Sequence, residues 1–122
     1  ACASWRGWNE ASYDMTESEF TERADAALAR LEAALEAAVD DGADIDFELK
    51  DGGVLELEFG NGTKIIVNRH GAAREIWVAA KAGGFHFRWN GSAWVNTRDG
   101  EELFAALSRQ VSAQAGEDVT LA

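Results

Sequence analysis

The chain contains no proline, one cysteine and one methionine among its 122 residues. The lone Cys2 excludes an internal disulfide and any cysteine-built zinc or iron–sulfur site within one chain. Basic residues are scarce: 11 Lys and Arg stand against 22 Asp and Glu, a formal charge of −11. The long-range field therefore repels nucleic acid and anionic membrane and attracts cations and basic proteins. No apolar run approaches the roughly 18 residues that span a bilayer, and no basic region followed by an apolar stretch opens the chain. The cytoplasm is the expected location. What is present is the composition of one folded domain, 47% hydrophobic and 27% charged.

The only methionine is Met15, and the preceding ACASWRGWNEASYD has neither helical nor strand periodicity. Residues 1–14 are expected to be an expression scar or a disordered extension outside the fold. The competing reading is a native extension whose Trp5, Trp8 and Tyr13 dock on the domain. Cys2 is given no functional role.

The negative charge is concentrated. Residues 16–48 hold eleven acids and two bases, Arg23 and Arg30, a net of −9, whereas the rest of the chain nets −2. Thr16 and Glu19 form a capping box, with Met15 placed to staple onto Phe20, so a helix starts here. Phe20, Ala24, Leu28, Leu31, Leu35 and Val39 recur at steps of three and four and predict one buried stripe, ended by Asp40, Asp41 and Gly42. Glu22, Asp25, Glu32, Glu36 and Asp40 fall on one flank of that stripe and the two arginines on the other. Glu32 and Glu36 are four residues apart and repel by a few tenths of a kcal/mol, with no cation at the next turn to relieve them.

Asp44-Ile45-Asp46-Phe47-Glu48-Leu49 then alternates strictly, sending Ile45, Phe47 and Leu49 inward and the acids to the other face of a strand. Acids so placed also deter β-pairing if the strand lies at an edge, and both readings stand. Turns at Asp51-Gly52-Gly53 and Gly60-Asn61-Gly62 separate strands at 54–59 and 63–68. Further strands are expected at 74–80 and 85–89, after a Gly83-Gly84 turn, with a short Trp94-Val95 piece. Asp99, with Glu102 three residues on, is read as the cap of a second helix that buries Leu103, Phe104, Leu107 and Val111 and ends near Gly116. The expected fold is α+β: a two-layer sandwich with N- and C-terminal helices on one face of a five- to six-stranded antiparallel sheet. It spans residues 15–116, with 117–122 as a C-terminal tail.

The segments MTESEFTERADAAL, DIDFEL, LEFGNGTKIIVNR and REIWVAAKAGGFHFRWNGSAWVNTRDGEELF, in this order and spacing, resemble the bacterial frataxin (CyaY) family from Met15 to about Gly116. The resemblance implies an iron-binding protein of iron–sulfur cluster assembly, an iron donor or sensor that regulates the complex of cysteine desulfurase and scaffold protein. It carries the family's acidic metal-binding ridge onto Glu32, Glu36, Asp40, Asp41, Asp44, Asp46 and Glu48, with Glu17, Glu19 and Glu22 as additions near the start. Ala33 and Ala37 stand where some relatives are acidic, and Thr21 where some bacterial members carry histidine, which points to fewer or weaker ions. The partner-binding surface maps to Asn68, Arg69 and Trp77, with His70 where glutamine is common. The chain is expected to be a monomer without iron and to be capable of oligomerising with it.

Carboxylates are hard ligands that take ferrous or ferric iron, and equally manganese, calcium or magnesium, so the ridge should bind weakly and other divalent cations should substitute. The same ridge suits docking to a basic groove of the desulfurase. The alternative function is a metal-independent acidic adaptor that inhibits a basic partner by electrostatic docking. No nucleophile motif or phosphate loop is present, and exposed acids on a convex ridge lack the cleft that paired-carboxylate catalysis needs. The reading is therefore not an enzyme, iron oxidation at the ridge being the one activity left open. His70 and His86 read as hydrogen-bonded strand residues and Trp89 and Trp94 as core or support, while the resemblance implies Trp77 as the exposed contact.

Overall fold

The computed structural model describes residues 15–121, so the expectations for residues 1–14 lie outside them. The chain runs α1 (Glu17–Asp40), β1 (Ile45–Lys50), β2 (Val54–Phe59), β3 (Lys64–His70), β4 (Glu75–Ala80), β5 (Gly83–Trp89), β6 (Trp94–Asn96) and α2 (Leu103–Ala115). All six strands pair antiparallel in the order of the sequence, leaving β1 and β6 as the edges. Two helices pack on one face of this open sheet, as the helix–strands–helix order requires.

α1 begins at the expected capping box, in which the Glu19 amide donates to Thr16 Oγ1 and the Thr16 amide to Glu19 Oε1. Its buried residues are Phe20, Ala24, Ala27, Leu28, Leu31 and Leu35. Val39, expected to complete the stripe, is instead 37% exposed, because the last turn of the helix leads out towards the turn at Asp41 and Gly42. Leu49, expected to point inward on β1, is 45% exposed for a related reason: an edge strand has a neighbour on one side only. Inside the sheet the alternation holds. Leu55, Leu57, Phe59, Ile65, Val67, Ile76, Val78 and Phe87 meet the helices' stripes in one core, each buried side chain contributing roughly 1.5–3 kcal/mol.

α2 starts later than Asp99 suggested. Glu102 is the N-cap, its carboxylate accepting from the amides of Phe104 and Ala105, while Asp99 accepts from the Glu101 amide in the preceding turn. Gly83 and Gly84, read above as a turn, belong to β5 opposite Ala80 and Ala79. The helix ends at Gly116 in the left-handed conformation, and the segment set apart above as a tail folds back. Ser112 exchanges hydrogen bonds with Val119 and Ser108 with Leu121, whose side chains are buried. Gln114, buried at the end of α2, accepts from the Lys81 amide and donates to Thr63 Oγ1 and the Lys64 carbonyl, tying two hairpin turns to the helix.

Candidate functional site

Two features stand out from this frame. The first is the acidic edge. α1 returns through a short turn into β1, so the flank of α1 that carries Asp25, Glu32, Glu36 and Asp40 runs beside the edge strand. A pocket lined by Asp25, Leu28 and Ala29 on one side and Leu49–Gly53 and Arg69 on the other marks the contact. Glu17, Glu19, Glu22, Glu36, Asp40, Asp41, Asp44, Asp46 and Glu48 are exposed, and Glu32 is half-buried. The ridge residues thus lie on adjoining elements and are mostly exposed. Among the described residues no three His, Cys, Asp or Glu side chains converge closely enough to hold a metal ion.

The register adds acids that sequence reasoning missed. On the sheet face turned away from the helices, Asp46 lies opposite Glu58 and Glu48 opposite Glu56. Directly opposed Cβ atoms are about 4.5–5.5 Å apart, so each of these β1 acids has a second acid as its cross-strand neighbour. Glu56 is compensated by Lys50 at 3.0 Å and Lys64 at 3.8 Å, and the Lys50 hydrogen bond holds its carboxyl below the usual range. Glu58 forms no ion pair among the described residues. Both glutamates alternate with Leu55, Leu57 and Phe59 along β2, and the hairpin register sets them against β1. Glu117 and Asp118 line a groove with Asp41, Ala34 and Ala38, adding charge at the far end of α1.

The second feature is an aromatic stack on the same open face, across β3, β4 and β5. Trp77 is opposite Asn68 on β3 and His86 on β5, and His70 lies diagonally across from it. The three rings are nearly parallel: His70 stacks on Trp77 at 3.7 Å and 11°, and His86 on its other side at 4.5 Å and 10°. Trp94 is core and Trp89 is a partly buried support, capped by the guanidinium of Arg23 at 4.7 Å.

The predicted partner set is divided by strand alternation. Asn68, His70 and Trp77 share the open face. Arg69 has the parity of Ile65 and Val67 and turns beneath α1, where it forms an ion pair with Asp25. Gly53 makes the room: at φ 76°, a Cβ there would come within 2.7 Å of Arg69 Nε. Sequence reasoning also missed Glu75, a buried carboxylate beneath the ring stack.

Two helices on one face of a six-stranded antiparallel meander, with acids along one edge and a tryptophan on the face the helices leave open, define a two-layer α-β sandwich. A model of the frataxin-like domain matches residues 13–117, and the chain belongs to that family. The iron–sulfur cluster assembly protein CyaY of Dechloromonas aromatica is 60% identical over 107 residues, covering 88% of this chain and 99% of that protein. The protein of the same name from Cupriavidus metallidurans is 58% identical, covering 88% and 96%. Among solved structures, the frataxin of Psychromonas ingrahamii superposes with a TM-score of 0.79 at 33% identity, covering 88% of this chain and 99% of that one. A trimeric frataxin of the yeast Saccharomyces cerevisiae, complexed with ferrous iron, gives 0.67 at 27% identity, covering 85% and 89%.

Proposed function

We propose that this protein serves iron–sulfur cluster assembly by carrying or sensing iron on its acidic edge and regulating a cysteine desulfurase and scaffold complex through that edge and the open sheet face. The observation that supports it most is the merging of two acidic segments, α1 and β1, into one exposed edge, with Asp46 facing Glu58 across the first hairpin. Edge protection accounts for acids on β1, but not for the acids on the flank of α1 beside it. Hard oxygen donors in ones and twos, completed by water, bind ferrous or ferric iron weakly and release it readily, which suits a cargo ion. The names of the curated relatives and the ferrous complex of the yeast protein support the same reading. Asn68, His70 and Trp77 are the proposed contacts for the scaffold, whereas Arg69, paired with Asp25 on the helix side, stands apart from them.

A second reading is favoured by the divergence of the carboxylates: a metal-independent adaptor whose acidic edge docks a basic groove of the desulfurase. One titration separates the two. Ferrous iron is added anaerobically to labelled protein while amide resonances are followed, with magnesium as control and the desulfurase added last. Saturable changes confined to residues 32–48 and Glu58, displaced by the desulfurase, are expected. If iron leaves these residues unchanged while the desulfurase perturbs them, the adaptor reading replaces the iron-binding one.

A further inference from the structure

Glu75 sits on the sheet face turned away from both helices, yet only 9% of its side chain is exposed. Its cover comes from the neighbours on its own face. Oε1 accepts a hydrogen bond from Trp77 Nε1–H at 2.8 Å, and Oε2 accepts one from Arg88 Nη2 at 2.8 Å. His86 Nδ1 lies 3.6 Å from Oε1, and His70 is the cross-strand neighbour of Glu75 on β3. The chain enters β4 through Arg74, held at φ 55° by bonds from its amide and Nη1 to the Gly71 carbonyl. That turn delivers Glu75 to the start of the strand, two residues before Trp77 and on the same face.

The consequence for Trp77 is unusual. His70 covers one face of the indole and His86 the other, while Glu75 occupies its N–H. His70 is itself braced, its Nδ1 accepting from the Ala73 amide at 3.3 Å. The indole therefore has its carbon edge free and little else, and it cannot receive a partner's arginine or ring on its face without dismantling the stack. We propose that Glu75 is a positioning residue that locks Trp77 edge-on, and that a partner meets the rims of three parallel rings, with the exposed Arg88 guanidinium beside them. The proposal rests on the reading that Trp77 contacts a protein partner.

Ring edges carry the positive end of the aromatic quadrupole, and the imidazole and guanidinium N–H groups add donors. The partner surface that fits is a loop presenting carbonyl and carboxylate oxygens. A cationic side chain seeking an aromatic face does not fit. Because the rotamer is fixed before the encounter, binding does not have to order it.

Three variants and one spectroscopic measurement test this with the full chain and the desulfurase–scaffold complex. Glu75→Gln keeps an acceptor for the indole N–H, whereas Glu75→Leu removes it. The Trp77 indole proton, assigned by its disappearance in Trp77→Ala, should exchange slowly in the parent chain and in Glu75→Gln and rapidly in Glu75→Leu. Affinity for the complex should fall by about tenfold in Glu75→Leu and by less than about threefold in Glu75→Gln, with Trp77→Ala the most severe. An indole proton that exchanges as fast as a free one in the parent chain overturns the proposal without any substitution. So does a Glu75→Leu protein that binds like the parent while Trp77→Ala does not, and so does an equal loss in both Glu75 variants. Undiminished binding by Trp77→Ala overturns the partner reading itself, and this proposal with it.

Discussion

The acidic edge and the ring stack occupy the same small domain but are built on opposite plans. Along α1 and β1 the carboxylates are mostly exposed and no three of those described converge, so the edge acts through the sum of its charges. On β3–β5 one buried carboxylate fixes one indole between two imidazoles, so the stack acts through the placement of single atoms. A field surface tolerates the loss of any member; a clamped surface does not.

The largest test of this contrast is Trp77→Ala, expected to leave the fold intact and weaken the partner complex by about 2 kcal/mol, as truncation of a central aromatic contact does. Neutralising one acid, as in Glu36→Gln, should cost no more than about 0.5 kcal/mol when both variants are titrated with the complex by calorimetry. An equal loss in both would erase the distinction. Next in size is the combined reversal of Glu32, Glu36 and Asp40 to lysine. Stopped-flow mixing at low salt should show association slowed by about tenfold with dissociation nearly unchanged, and added salt should close the gap. A change confined to dissociation would mean that these acids make specific contacts after all.

Arg69→Ala sharpens the boundary between the two faces of the sheet. Its ion pair with Asp25 is partly exposed, 23% and 53% for the two side chains, so thermal unfolding should show a loss of only about 0.5–1 kcal/mol. Partner affinity should not move, because Arg69 points beneath α1 and away from Trp77. A loss of affinity without a loss of stability would return Arg69 to the contact surface.

Arg69 also shows how much of the site could be read beforehand. The strand was expected to end at 68; because β3 runs on to His70, the alternation Ile65, Val67, Arg69 puts Arg69 on the core side and Asn68 and His70 on the other. Grouping all three with Trp77 followed the resemblance. The capping box, the stripe of α1 and the strand alternation were legible because each depends on residues a few positions apart. Val39 and Leu49 were misplaced because periodicity reports which way a side chain points and not where the covering element ends. Asp99 was read as the cap with Glu102 as its partner; the preceding turn uses Asp99, and Glu102 caps α2 itself. Glu58 and Glu75 needed information that local pattern lacks. One became part of the edge through hairpin register, the other was buried by rings arriving from two other strands.

The smallest expected effect concerns one acid at the start of α1. Glu19 is fully exposed like its neighbours, yet it accepts a hydrogen bond from the Thr16 amide at 3.1 Å, and that bond is the main cause holding its carboxyl below 4.5. The folded chain thus keeps Glu19 ionised at a pH where the unfolded chain has begun to protonate it. Its contribution to stability is complete above the usual carboxylate value and is lost as pH falls through the lower, folded value. The Thr16 amide resonance should therefore titrate with a midpoint below 4.5, and the first turn of α1 should fray under more acid conditions. Glu19→Gln keeps the acceptor without the titration and should flatten this response. A Thr16 resonance that still titrates in that variant would assign the effect to the collective field of the edge, making Glu19 one more member of the sum.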